Sequence, residues 1–143
     1  MAHSIQIVVD CHRPHHLAEW WAETLGWDVE PQDETFIRSM IAQGHATEED
    51  TTVHNGHLVW ATGAAIVPVG NAKGQPRFFF QLVPEDKAGK NRMHVDIRPD
   101  ADTEISELRQ DLVNRGATVL HEGSQGPHTW LTMGDPEGNE FCV

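Results

Sequence analysis

The chain has 143 residues, with 10 Lys+Arg against 22 Asp+Glu and a formal net charge of −12. Hydrophobic residues at 38%, with five Trp and five Phe, exclude a disordered chain, and the length suits one domain with a core of its own. The acidic balance, without any basic run, excludes nucleic acid and anionic lipid surfaces as partners, and no stretch reaches the ~20 apolar residues of a membrane span.

The opening Met1-Ala2-His3-Ser4 lacks the basic start and apolar run of a secretion signal. Two cysteines, Cys11 and Cys142, are too few for a disulfide scaffold, so both are expected as buried free thiols and the protein as cytoplasmic. Ile5-Gln6-Ile7-Val8-Val9 predicts a buried strand. Pro14 then opens a helix through Leu17, Trp20, Trp21 and Leu25, stopped by Gly26, and Trp27-Asp28-Val29 resumes a strand. Phe36, Ile37, Met40 and Ile41 predict a short helix closed by Gly44, and the acidic 47–50 stretch a solvated loop. Thr52 to Trp60 reads as a hairpin across Asn55-Gly56. Asn71 to Pro76 is another loop, before the strand Arg77-Phe78-Phe79-Phe80-Gln81-Leu82-Val83.

The order then repeats. Met93-His94-Val95-Asp96-Ile97 predicts a strand, and Ile105, Leu108, Leu112 and Val113 a helix ended by Gly116. Strands follow at 117–120, 128–133 and 140–143, with Gly134 to Asn139 as a turn. Offsets from Gln6 to His94 and from Gly26 to Gly116 are nearly equal, which indicates a duplicated unit. The closing strands align Gln81 with Glu140, and the first half is longer by residues around 33–66.

The two βαβββ-like halves, the segment Lys90-Asn91-Arg92-Met93-His94-Val95-Asp96 and the ending Asp135-Pro136-Glu137-Gly138-Asn139-Glu140-Phe141 resemble the glyoxalase/bleomycin-resistance (vicinal oxygen chelate) superfamily, and more narrowly its bacterial glyoxalase-like domain proteins. The resemblance spans nearly the whole chain. It implies an α+β single domain, 1–143, whose two βαβββ modules (about 4–84, with an insertion at about 33–66, and about 92–143) form a cupped, partly open mixed sheet. It also implies a divalent-metal site at Gln6, Gln81, His94 and Glu140, the positions that the internal repeat pairs.

Gln81 departs from the pattern, which has a carboxylate there. One imidazole, one carboxylate and two amide oxygens form a degenerate set, better suited to Mg²⁺ or Mn²⁺ than to Zn²⁺ and well suited to none, so a divalent metal (Mg²⁺, Mn²⁺, Ni²⁺ or Zn²⁺) and a metal-free polar pocket both stay open. The absence of a second His at these positions counts against an extradiol-type oxygenase. The resemblance implies a glyoxalase-like lyase or isomerase acting on a small oxygenated metabolite. Glu140 would then be the general base, with a raised pKa in a dry site, and His94 would bind metal or donate to a substrate oxygen. The alternative is a non-catalytic protein that sequesters an antibiotic-type small molecule without metal.

Phe79, which shares a pleat face with Gln81, is a candidate pocket wall, as are Trp60 and Trp130, and Arg92 is a candidate to steer an anionic ligand. His12, His15 and His16 are expected as a solvated cluster, and His54 and His57 as surface neighbours across the hairpin turn. The expected partner is a small molecule, with a homodimer compatible with the same strand pattern.

Overall fold

The computed structural model describes residues 3–71 and 75–143, so part of the loop read at 71–76 lies outside the described residues. The chain divides into two compact units, Met1–Pro84 and Glu85–Val143.

In the first unit, β1 (Gln6–Cys11) turns Ile7, Val9 and Cys11 toward the core side and leaves Gln6, Val8 and Asp10 on the more exposed face. Helix α1 (Pro14–Leu25) starts on a proline whose missing N–H has no helical partner to lose, and it buries Leu17, Ala18, Trp20, Trp21 and Ala22. Gly26 ends it at φ 65° and ψ 35°, the left-handed turn that favours glycine. β2 (Asp28–Val29) follows, then α2 (Glu34–Ala42), whose first amides from Thr35 and Phe36 are capped by the Asp33 carboxylate. The 47–50 segment forms a capped 3₁₀ turn. Strands β3 (Thr51–His54) and β4 (His57–Trp60) form the expected hairpin, with positive φ at both Asn55 and Gly56 as a two-residue type I′ turn requires.

β5 (Gly63–Val67) and β6 (Arg77–Leu82) complete a four-stranded sheet in the order β1-β6-β5-β2. β1 and β6 run parallel, and the other pairs are antiparallel. Trp21 and Trp27 close on Phe78, with ring centroids 6.4 and 5.5 Å away, and lock α1 to the sheet. The helix α2 and the hairpin account for the extra length. β5 begins at Gly63, inside the 33–66 boundary drawn from the sequence.

The second unit repeats this plan without the insertion. β7 (Val95–Asp96), α3 (Ile105–Asn114), β8 (Thr118–Gln125), β9 (His128–Gly134) and β10 (Glu140–Cys142) form a sheet in the order β7-β10-β9-β8. Position for position this is the order of the first sheet, including the parallel pairing of first and last strands. The Asp135 carboxylate, 2% exposed, accepts from the amides of Glu137 and Asn139 and so shapes the turn into β10. The fold is therefore α+β, with two mixed four-stranded sheets. No helix among the described residues is long and apolar enough to cross a membrane.

Candidate functional site

Register decides which of the expected ligands meet. In the first unit Gln6 is level with Arg77, and Gln81 is level with Asp10. Four rungs of ladder separate Gln6 from Gln81, about 13 Å at ~3.3 Å per residue. The Gln6 side-chain oxygen also accepts a hydrogen bond from Arg77. In the second unit Val95 is level with Phe141, so one rung back His94 is level with Glu140. The two modules thus place their expected pairs differently along equivalent ladders.

Glu140 is not an idle carboxylate. Its side chain is 11% exposed, and Lys87 Nζ lies 3.0 Å from Oε1. The Asn91 amide donates to its other oxygen at 3.1 Å. Burial raises its pKa, but the hydrogen bond from Lys87, those from backbone amides and the lysine charge outweigh burial and leave it below the ordinary value. The raised pKa expected from the sequence is therefore overturned: the site is drier than solvent, but it holds a cation. Lys87 and Asn91 carried no sequence signal as its partners.

Within each unit, the residues carried over from the family pattern are not disposed by themselves to hold a divalent ion. Gln6 is bonded to Arg77, Gln81 stands four rungs away on the same ladder, and Glu140 is neutralised by an ammonium group. A different group of donors does meet. His94 Nε2 lies 3.3 Å from Asp96 Oδ1, and Asp96 is level with Cys142. The ligand atoms of His94, Asp96 and Cys142 lie within 4.8 Å of one another.

A concave pocket of about 310 Å³ lies wholly within the first unit, lined by Glu30, Gln32, Phe36, Trp60, Arg77 and Phe79 among others. Trp60 and Phe79, two of the aromatics named from the sequence, are part of its wall. Gly63 gives Phe79 room: a Cβ there would overlap the Phe79 ring and come within 2.9 Å of the Phe80 carbonyl oxygen. Trp130, the third named aromatic, lies over Gly123 of the second unit in the same manner, and Arg92 is exposed in the loop before β7.

Most polar groups of the pocket are engaged with one another. Arg77 forks onto Glu30 through Nε and Nη2 at 2.9 and 2.7 Å, and its guanidinium lies 5.5 Å from the Phe79 ring centre. The hydrogen bond from Arg77 is the main influence on the Glu30 carboxyl and holds it below the usual range against the effect of burial. Gln32 accepts from the Trp60 amide at 2.7 Å and donates to the Gly63 carbonyl at 2.9 Å, tying the hairpin to β5. The Trp60 carbonyl accepts from His15 Nε2 at 2.8 Å.

The histidines on α1 are not simply solvated. His15 stacks on His54 at 5.0 Å, and His16 meets His54 edge-on at the same distance. His54 Nε2 lies 2.7 Å from Glu19 Oε1, which also accepts from Asn55. Segments read separately in the sequence therefore join α1 to the hairpin. His12 and His16 are exposed, and His54 pairs with His57 across the turn, both as expected.

The sequence pattern of the Glyoxalase-like domain family matches residues 6–143. No curated protein matches the chain. Among solved structures, the chain is similar to a glyoxalase/bleomycin resistance protein/dioxygenase family enzyme from Burkholderia phytofirmans PsJN, at 10% identity and TM-score 0.62, over 96% of this chain and 94% of that one. It is also similar to a possible glyoxalase from Bacillus cereus, at 10% identity and TM-score 0.59, over 100% and 98%. A third is the fosfomycin resistance protein FosX from Mesorhizobium loti, at 8% identity and TM-score 0.59, over 99% and 90%. At such identities the likeness is one of fold.

Proposed function

The chain belongs to the glyoxalase-like domain family, and on that premise we propose that it is a small-molecule-binding protein that holds its ligand in the first-module pocket and releases it unchanged. The observation that carries this reading is an aromatic-walled pocket of about 310 Å³ whose shape is fixed by internal hydrogen bonds. Its volume lies near the lower end of the ~300–1,000 Å³ of small-molecule sites. Phe36, Trp60 and Phe79 offer flat apolar surface for stacking. Arg77 is offset by Glu30, and the Asp33 carboxylate leaves the lining with a net negative charge, which favours a flat ligand that carries hydrogen-bond donors or positive charge. The net charge of −12 acts in the same direction at long range.

A glyoxalase-type lyase or isomerase asks more of Glu140. A general base works best with a pKa near the operating pH, whereas Glu140 is shifted the other way and held by Lys87. Binding without turnover is the reading these groups support better.

The test uses two flat probes of matched size, 4-aminoquinoline and quinoline-4-carboxylate, followed by tryptophan fluorescence. The amine is expected to bind about tenfold tighter than the carboxylate, a difference of about 1.4 kcal/mol, and Trp60→Leu and Phe79→Ala are expected to lose most of that binding. Equal or reversed preference, or undiminished binding in Phe79→Ala, would contradict the proposal.

A further inference from the structure

We propose that the second module binds a transition-metal ion through His94, Asp96 and Cys142, one pleat along the β7/β10 ladder from the position that the family pattern assigns. The inference is independent of the ligand-binding reading of the first module.

The backbone supplies the placement. β7 and β10 run parallel with Asp96 level with Cys142, and His94 lies two residues before Asp96 on the same pleat face. Three donors of different chemistry, an imidazole nitrogen, a carboxylate oxygen and a thiol sulfur, thereby come within 4.8 Å of one another. Around a tetrahedral ion with bonds of about 2.0–2.3 Å, neighbouring donors stand about 3.5 Å apart, so closure asks for side-chain adjustments of about 1 Å. His94 and Asp96 have 43% and 58% of their side chains exposed and are free to make that adjustment. Cys142, 9% exposed, provides the fixed point, with its sulfur 3.5 Å from the Thr132 hydroxyl.

Glu140 explains why the ion would move. It faces the same ladder, but an ammonium at 3.0 Å and a backbone amide at 3.1 Å already satisfy its charge and both oxygens. The donor that replaces it is a thiol. Thiolate and imidazole favour Zn²⁺, Co²⁺ or Ni²⁺ over Mg²⁺ and Mn²⁺, so the ion class differs from the one that two amide oxygens would suit. Three protein ligands leave one coordination position open, as in zinc sites that exchange ligands rather than merely brace a fold.

The experiment is titration of the intact, metal-stripped protein with Co²⁺, read by absorption spectroscopy. One equivalent is expected to bind with a near-ultraviolet thiolate-to-cobalt band, and Zn²⁺ to displace it. Cys142→Ser should remove that band. Asp96→Asn, an exposed change that leaves the ladder intact, should weaken Co²⁺ binding about tenfold or more, with circular dichroism confirming its fold. Glu140→Gln should retain the band and bind within about twofold of the parent. Failure of the parent protein to take up Co²⁺, persistence of the thiolate band in Cys142→Ser, or loss of binding in Glu140→Gln with none in Asp96→Asn would overturn the assignment.

Discussion

Lys87 and Glu140 form an ion pair at 3.0 Å across 53 residues of sequence, with side chains 25% and 11% exposed. This pair takes the carboxylate most reminiscent of a family catalyst and makes it an anchor for the loop ahead of β7. Removing the cation leaves a mostly buried charge supported only by backbone amides, so Lys87→Met should cost about 1–3 kcal/mol at neutral pH. Because the folded-state pKa of Glu140 is lowered, its stabilising contribution is present above the unfolded value of about 4.3 and is lost as pH falls through the folded value. The gap in stability between Lys87→Met and the parent should therefore shrink as the pH is taken well below 4.3, as measured by urea denaturation across pH. A gap independent of pH would show that the lysine acts through packing alone.

Gly63 lets the Phe79 ring lie across β5. Gly63→Ala would drive its new methyl into that ring and against the Phe80 carbonyl, forcing Phe79 out of the pocket wall or the strands apart. A loss of about 1–3 kcal/mol and a weakened 4-aminoquinoline complex are expected, by thermal denaturation and fluorescence titration. The mirrored change, Gly123→Ala beneath Trp130, should lower stability comparably and leave the first-module complex intact.

Gly26 closes α1 in left-handed geometry with open space around its Cα. Gly26→Ala meets no neighbour, so its cost is conformational alone, about 1 kcal/mol. Chemical denaturation should show that loss with unchanged ligand affinity, since the substitution alters no pocket contact.

Much of this fold is legible in the sequence because it is written in local signals. Pro14 and Gly26 bracket α1, Asn55-Gly56 marks the hairpin, and the recurring order of strand, helix and glycine reveals the repeat. β5 is harder to read, because Gly63-Ala64-Ala65-Ile66-Val67 is short, small and buried at nearly every position, so no alternation shows. The site depends on register, to which sequence is least sensitive. The internal repeat aligns Gln6 with His94 and Gln81 with Glu140, yet Gln81 stands four rungs from Gln6 while Glu140 is one rung from the Val95–Phe141 pair beside His94, a register difference that no local signal records. The long-range partners, Lys87 with Glu140 and His15 with His54, have no local signature at all.

The proposed ligand site lies on the aromatic wall of the first module and binds without metal. The most direct measurement is a nuclear Overhauser experiment on the 4-aminoquinoline complex in the presence of EDTA. Cross-peaks from the quinoline protons to the Trp60 and Phe79 rings are predicted. A complex that forms only after a divalent metal is added, or cross-peaks confined to His94 and Trp130, would contradict it.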